Sequence, residues 1–437
     1  MLQNKGIMDF LLLSDWIDLP TNIQMQSKLC LLDLIGVAAG GSRTKLSRIA
    51  RDYAQMDMTG TIPMIFDGRG ASVAGVALSG GMTIDALDGH DGFNLAKGHA
   101  GCGLLPALYA VASEEDGVKG SEFLHALTLG YEIACRTAIS QHATSPDYHT
   151  SGAWVAVAVA AVTSRVMGLS NDQALHAMGI AEYHGPRSQM MRCIDYPTMV
   201  KDGSGWGAMC GVSAARMAAA GFTGAPALTL ETQHWSDLNS NWLITQQYFK
   251  PYPVCRWAQG PIAAVLDLKR QHKISSKDIS EIRITSFHEA VRLGQKTATN
   301  TEQAQYSTSF PCAVALVNGT VLPEHVADDS LNDPEVQRLS SALTMVEDEF
   351  ANKYFPARRL ARADIKLATG QILKSDWFEP QWDATKPPNK LELENKFHNY
   401  AIPVVGNDRA NAIHQAVMNL DQTCVETLFT LLSQPSN

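Results

Sequence analysis

Apolar residues recur at helical spacing through the first ~245 residues of the chain, with short connections between the elements they predict. Residues 27–38 are apolar on one face and are stopped by Gly40-Gly41, a helix C-terminal signal. A second helix is predicted over 103–113, and Gly120-Ser121-Glu122 opens a third that runs through Ala138. Residues 153–167 are almost wholly apolar up to Gly168. A helix apolar all round is buried on every side, and its alanines let neighbours come close. Ser170 is placed to cap a helix over 172–181, and the small, apolar style returns at 212–220 before Gly221. This half reads as a helical bundle with an alanine-rich centre.

Near residue 250 the pattern changes. Gly260-Pro261 predicts a helix through His272 with proline at its first position. Residues 281–287 alternate, Ile282 and Ile284 against Arg283 and Thr285, the period of a half-buried strand. Asp333-Pro334 opens a helix through Leu343, and 363–368 alternates again into a Thr369-Gly370 turn. Helices with antiparallel strands describe an α+β unit. Residues 383–389, with Pro387-Pro388, read as a linker, and the chain from Leu391 onward is helical and expected to return to the bundle. The expected fold class is mainly α, with a large all-α helical domain over 1–249 and 390–437 and a smaller α+β lid domain over 250–389. No internal repeat is visible.

The length of 437 residues exceeds what one ordinary core holds, which agrees with two domains. The formal net charge of −9, with no run of Lys or Arg, argues against a nucleic-acid partner. The densest basic stretch, Arg358-Arg359-Leu360-Ala361-Arg362, reads as a solvated surface segment. No window reaches ~18 uninterrupted apolar residues, so no membrane partner is expected. Asp9, Asp15 and Asp18 interrupt the N-terminal segment, which lacks a signal-peptide cleavage pattern. The eight cysteines are scattered without a C-x-x-C pair, as expected for free thiols in a reducing cytoplasm.

Phosphate-loop, zinc-helix and nucleophile-elbow signatures are absent, and Gly68-Arg69-Gly70 has the wrong spacing for a dinucleotide fingerprint. What remains is a set of ionisable residues in apolar, Gly-rich surroundings. Asp85, Asp88, His90, Asp91 and His99 fall on one loop between apolar helices. That loop reads either as a solvated connector or as an acid–base loop, since both residue types titrate near neutrality when perturbed. Asp and His also suit a metal such as Mn, Fe or Zn. Asp147-Tyr148-His149-Thr150-Ser151-Gly152 precedes the buried helix, whose N-terminus favours an anion; the plain reading is a cap with a surface histidine. Lys201 lies between apolar residues and a glycine run and is either an exposed lysine or a desolvated base. Phe249-Lys250-Pro251-Tyr252-Pro253-Val254-Cys255-Arg256-Trp257 spans the domain change, as a stiff connector or as part of a ligand site.

These segments, with Gly168-Leu169-Ser170, Lys201-Asp202-Gly203 and Tyr306-Ser307-Thr308-Ser309-Phe310, resemble the MmgE/PrpD family over nearly the whole chain. That family includes 2-methylcitrate dehydratase, cis-aconitate decarboxylase and iminodisuccinate epimerase. The resemblance implies a helical domain, a lid domain, a homodimer, and a cofactor-free and metal-free site between domains for a small polycarboxylate. It matches Asp88, Asp91 and His99 to the first-loop acids and histidine, His149 to the second histidine, and Lys201 and Lys250 to the two lysines. His90-Asp91 stands where the dehydratases and decarboxylases carry paired acids, Gly92 where they carry Thr, and Phe310 where the decarboxylase carries a tyrosine. The segment Tyr148–Gly152 is most similar to the epimerase branch.

The expectation is therefore an epimerase working on a carbon beside a carboxylate. Inversion needs an acid on one face and a base on the other. Lys201 is expected on one face and Tyr148, assisted by His149, on the other. Lys250 and Arg256 would hold substrate carboxylates, with Tyr306 and Ser307 also contacting substrate. Asp88, Asp91 and His99 would tune or orient the site. Dehydration, with His99 or His149 protonating the leaving hydroxyl, and decarboxylation are the alternatives within the family. A non-catalytic helical binding protein is the alternative outside it.

Overall fold

Helix packing dominates the architecture. The computed structural model describes residues 2–294 and 297–436, and nineteen α-helices run through them. The centre of the large helical body is Gly152–Val166, whose residues are buried from end to end. It lies against Ser204–Ala219, which begins eight residues before the start expected from its apolar run. The glycine run after Lys201 is the reason. A Cβ at Gly207 would come within 2.5 Å of the Gly152 carbonyl, so glycine at both positions lets the two helices touch backbone to backbone. This contact fixes the start of Gly152–Val166 beside the 201–203 segment.

Other elements run longer than their patterns. Thr21–Gly41 is a helix of 21 residues, buried along most of its length. Gly101–Ala112 and Gly120–Thr144 extend the expected second and third helices, and Ser170 caps Asn171–His184 with a reciprocal bond from Gln173. The helix expected to open at Pro261 opens instead at Arg256 and carries Pro261 inside it. Gln259 steadies that first turn by donating to the carbonyls of Tyr252 and Val254, each at 3.0 Å.

Past this helix lies a four-stranded sheet in the order Leu343–Glu347, Ile279–Ser286, Ala361–Leu367, Ile372–Lys374. The first pair is parallel and the other two antiparallel, so the sheet is mixed rather than purely antiparallel. Helix Pro334–Ala342 supplies the crossover that a parallel pair needs. The last helices, Lys390–Val405, Asn407–Met418 and Glu426–Ser433, leave the sheet. Lys390–Val405 packs on Thr21–Gly41, with Phe397 against Gly36. Lys28 donates to Asp421 at 2.7 Å and ties this tail to the first half. Among the described residues no helix is long and apolar enough to cross a membrane. One apolar core runs through both parts of the chain. A smaller cluster, including Met190, Ile194, Cys255, Trp257 and Tyr306, sits where the helical body meets the sheet-bearing part.

Candidate active site

Of the seven described non-glycine residues with left-handed backbone, three lie in the candidate segments: Asp88 (φ +47°), Lys97 (φ +53°) and Lys201 (φ +50°). Such conformations cost energy and persist only where surrounding structure imposes them. What imposes the first is a short ladder. Gly92–Phe93 pairs antiparallel with Gln247–Tyr248, which brings the segment around Lys250 across the Asp88 loop. Lys250 is fully buried, and its ammonium donates to the Asp88 carboxylate and, at 2.7 Å, to the Asp88 carbonyl. Burial alone would push the Asp88 carboxyl up, but Lys250, His99 and His90 outweigh it and hold it below the usual range. In return Asp88 overcomes the burial of Lys250 and keeps the lysine protonated.

His99 Nδ1 donates to the Asp91 carbonyl, which leaves Nε2 as the lone-pair nitrogen. That Nε2 lies 3.8 Å from Asp88 Oδ1. Burial first, and then the positive charge of Lys250, pushes the His99 pKa well below that of a free histidine, so the ring is neutral at pH 7. The His90 ring packs edge-on at 4.3 Å between centroids, and its own Nε2 lies 3.3 Å from Asp85. Asp85 Oδ2 accepts the Asp202 N–H at 3.1 Å. Asp202 in turn accepts from the Ser151 N–H at 3.1 Å and from the Ser151 hydroxyl. Of the two readings of this helix N-terminus, a ligand-anion site or a plain cap, the structure fills the place with the protein's own Asp202. Ser151 Oγ accepts the His99 N–H at 2.9 Å, which joins this network to the histidine.

A narrow cleft of about 30 Å³ opens on His99. Asp88, Tyr148, Tyr248, Arg256 and Tyr306 line it, with Met190, Ile194, Cys255 and Trp257 as its apolar wall. Lys97 and Arg359 complete it. Tyr306 is buried and its hydroxyl has no hydrogen-bond partner among the described residues. Tyr148 spends its proton on the Lys97 carbonyl.

Of the ten side chains singled out from the sequence, the cleft gathers His99, Asp88, Tyr148, Arg256 and Tyr306. Lys250 stands directly behind Asp88 instead of facing a ligand. Lys201 is also set back: its ammonium donates to Gln305 Oε1 at 2.5 Å and lies 4.8 Å over the Tyr306 ring. It reaches the cleft only through that ring. His149 lies outside the lining, half-buried, with Nδ1 2.8 Å from the Asp147 carbonyl. Asp91 turns its carboxylate away to the Tyr131 hydroxyl and serves His99 through its main chain. Ser307 Oγ accepts the Phe310 N–H at 3.1 Å and caps the following helix turn.

Two lining cations escaped the sequence. The sequence places Arg359 in a solvated stretch, yet it is 5% exposed. The available signal was parity: Arg359 falls in step with Ala361, Ala363 and Ile365, the inward positions of the strand that follows. Lys97 had no local signal beyond its place in the loop.

Asp88, His90 and His99 offer ligand atoms within 4.8 Å of one another, a spacing open to a metal. The surroundings favour protons instead. The Lys250 ammonium is bonded to Asp88, and His90 Nε2 is engaged with Asp85, so a divalent ion would sit against a lysine charge.

Residues 6–243 match the profile of the MmgE/PrpD N-terminal domain and residues 252–422 that of the MmgE/PrpD C-terminal domain. The chain belongs to the MmgE/PrpD family. It is similar, at 24% identity over 460 residues, to a cis-aconitate decarboxylase-like protein, oryM, of Aspergillus oryzae, covering 95% of this chain and 94% of that one. It is equally similar, at 24% identity over 472 residues, to cis-aconitate decarboxylase of Aspergillus terreus, covering 96% of this chain and 93% of the other.

Proposed function

We propose that this protein is an enzyme that moves a proton at a carbon beside a carboxylate of a small polycarboxylate, without a cofactor. The observation that carries this reading is His99. Its Nδ1 proton is pinned by the Asp91 carbonyl, its neutral Nε2 opens on the cleft, and Asp88 waits beside it to stabilise the imidazolium formed on proton uptake. Tyr306, with an unpaired hydroxyl in the same cleft, is the acid that returns a proton. The Lys201 ammonium over its ring favours electron density on that phenol.

Epimerisation is the first finer reading: His99 takes the α-hydrogen from one face and a tyrosine proton is delivered to the other. It rests on the likeness of Tyr148–Gly152 to the epimerase branch, with His99 and Tyr306 replacing the Lys201 and Tyr148 pair expected from the sequence. The lyase reading is favoured by a separate observation, the full-length similarity to proteins named cis-aconitate decarboxylase. There the same tyrosine would protonate the carbanion left by departing carbon dioxide. Incubation with di- and tricarboxylic acids in deuterium oxide, followed by NMR, separates the two. An epimerase exchanges the α-hydrogen and yields the mirror configuration, whereas a lyase yields an acid one carboxylate or one hydroxyl shorter. No exchange and no product from any such acid sinks the proposal.

Residues 250–389 are taken as a lid over the helical domain, since the cleft draws its walls from both. The chain is also proposed to pair with a second copy through the exposed apolar side chains Tyr196, Val200 and Trp206, close to the Lys201 segment. The eight unpaired cysteines fit a reducing, cytoplasmic setting.

A further inference from the structure

The cleft holds more positive charge than its own residues use. Arg359 donates through Nη1 to Asn94 Oδ1 at 2.7 Å and to the Pro356 carbonyl at 3.1 Å. Its Nε is buried with no acceptor. Arg256 stacks on Tyr248, 3.9 Å from guanidinium carbon to ring centre, and spends its terminal nitrogens on the carbonyls of Phe249 and Gln381 and on Asp383. Its Nε too is buried without an acceptor. Lys97 lies 4.4 Å over the Tyr148 ring, and its ammonium has neither hydrogen bond nor ion pair among the described residues. Among the described residues only Arg256 of these three cations is paired with a carboxylate, Asp383, while Lys97 feels Glu289 from a distance and Asp88 is held by Lys250.

Uncompensated cations in a closed space are costly, and a polar N–H buried without a partner adds to that cost. Both costs vanish when an anion enters. The three groups are also spaced by one residue of the helical part. Asn94 accepts from Arg359 and donates at 2.9 Å to Asp383, which holds Arg256. The two guanidiniums are therefore fixed in a chain around Asn94, three residues before Lys97. Among the described residues none of them is bonded to the Asp88–Lys250 pair, so their task is recognition.

We propose that Arg359, Lys97 and the free Nε–H of Arg256 form a second anion pocket, which takes the carboxylate remote from the reacting carbon. This rests on the reading of the cleft as a proton-transfer site for a polycarboxylate and assigns the residues that tell its second carboxylate from an apolar end. The remote carboxylate bridges the sheet-bearing part, which supplies both arginines, and the helical part, which supplies Lys97.

The test uses the full-length protein and two probes of equal chain length, succinate and butyrate, with affinity measured by calorimetry. Charge-assisted hydrogen bonds of this kind convert to roughly tenfold to a hundredfold in affinity. Wild type should bind succinate at least tenfold more tightly than butyrate. Arg359→Gln should lose that advantage and bind butyrate as wild type does. Arg359→Lys, which keeps the charge but not the Nε–H, should fall between them, and Lys97→Met should weaken succinate selectively. Thermal melts of the variants should stay near wild type. Equal succinate affinity in wild type and Arg359→Gln overturns the pocket, as does an equal loss of both probes. The proton-transfer reading fails separately. Arg359-dependent binding of diacids with no α-hydrogen exchange would leave the pocket standing and remove the enzyme. Exchange with unchanged KM in Arg359→Gln would do the reverse.

Discussion

His99 Nε2 and the Lys250 ammonium converge on the same atom, Asp88 Oδ1; the histidine stands 3.8 Å from it and the lysine is bonded to it. One carboxylate thus serves two cations at different moments, the lysine at rest and the imidazolium once His99 has taken a proton.

The first prediction concerns that proton. Replacing His99 by Gln should lower kcat by about 10²–10⁴-fold, the usual contribution of a general base, while the protein stays folded. Because burial and Lys250 depress the His99 pKa well below the ordinary value near 6.5, the neutral base persists at mildly acidic pH. The acid limb of kcat/KM should therefore lie well below pH 6.5. A limb at or above that pH would assign the base elsewhere.

Breaking the buried pair is the second. Lys250→Met leaves Asp88 charged and alone in a dry site, and Asp88→Asn strands the lysine. Loss of one partner from such a pair costs about 3–5 kcal/mol. The double variant should be more stable in urea than the sum of the single losses predicts. Additive losses would mean that the two charges do not depend on each other.

Tyr306 and Lys201 give the third. Tyr306→Phe removes the unpaired hydroxyl of the cleft and should cost on the order of 10² in kcat. Lys201→Met removes a charge that meets the cleft only through the Tyr306 ring, so its effect on kcat should be the smaller and should largely vanish in the Tyr306→Phe background. In an epimerase, His99→Gln and Tyr306→Phe should each suppress deuterium exchange from a different enantiomer. Full activity of Lys201→Met and Tyr306→Phe together would end this assignment.

Much of this was legible in the chain, and the rest was hidden for definable reasons. The bundle centre was evident because a run of Ala and Val with no polar face has only one place to go. The mixed sheet was not, since alternation reports burial of one face and says nothing of strand direction. Asp88, His99 and Arg256 stood out as charged residues among glycines and apolar residues. Sequence could not tell that Lys250 would stop at Asp88, or that Asp91 would turn its back on the cleft while lending its carbonyl. Those outcomes depend on a two-residue ladder between segments some 155 positions apart, Gly92–Phe93 and Gln247–Tyr248.

Asp91 supplies the fourth prediction. Burial raises its carboxyl to about 7, with nearby Asp33 adding to the effect, and one of its oxygens has no partner. Between the unfolded value near 4 and about 7 the folded protein holds a proton that the unfolded chain releases. Stability from this group is complete below pH 4 and declines as pH rises to about 7. Asp91→Asn keeps an acceptor for Tyr131 and carries no charge. It should match wild type in urea at pH 4 and exceed it at pH 8. Equal stability of the two proteins at pH 8 would contradict the buried proton.

The fifth concerns assembly. Charge placed on the proposed contact, as in Val200→Glu with Trp206→Glu, should shift the protein from dimer to monomer in light scattering at micromolar concentration. A wild type that is already monomeric there would remove the second copy from the proposal.

Lys396, in the helix Lys390–Val405, is buried and donates to Asp33 at 2.6 Å and to the Gly89 carbonyl at 2.7 Å, the residue after Asp88. That bond divides the labour along the chain. Every residue lining the cleft falls between Asp88 and Arg359, whereas the clamp on the Asp88 loop comes from Lys396, in a helix that never touches the cleft. The geometry of the site is therefore held from behind, by a part of the chain with no place in its chemistry.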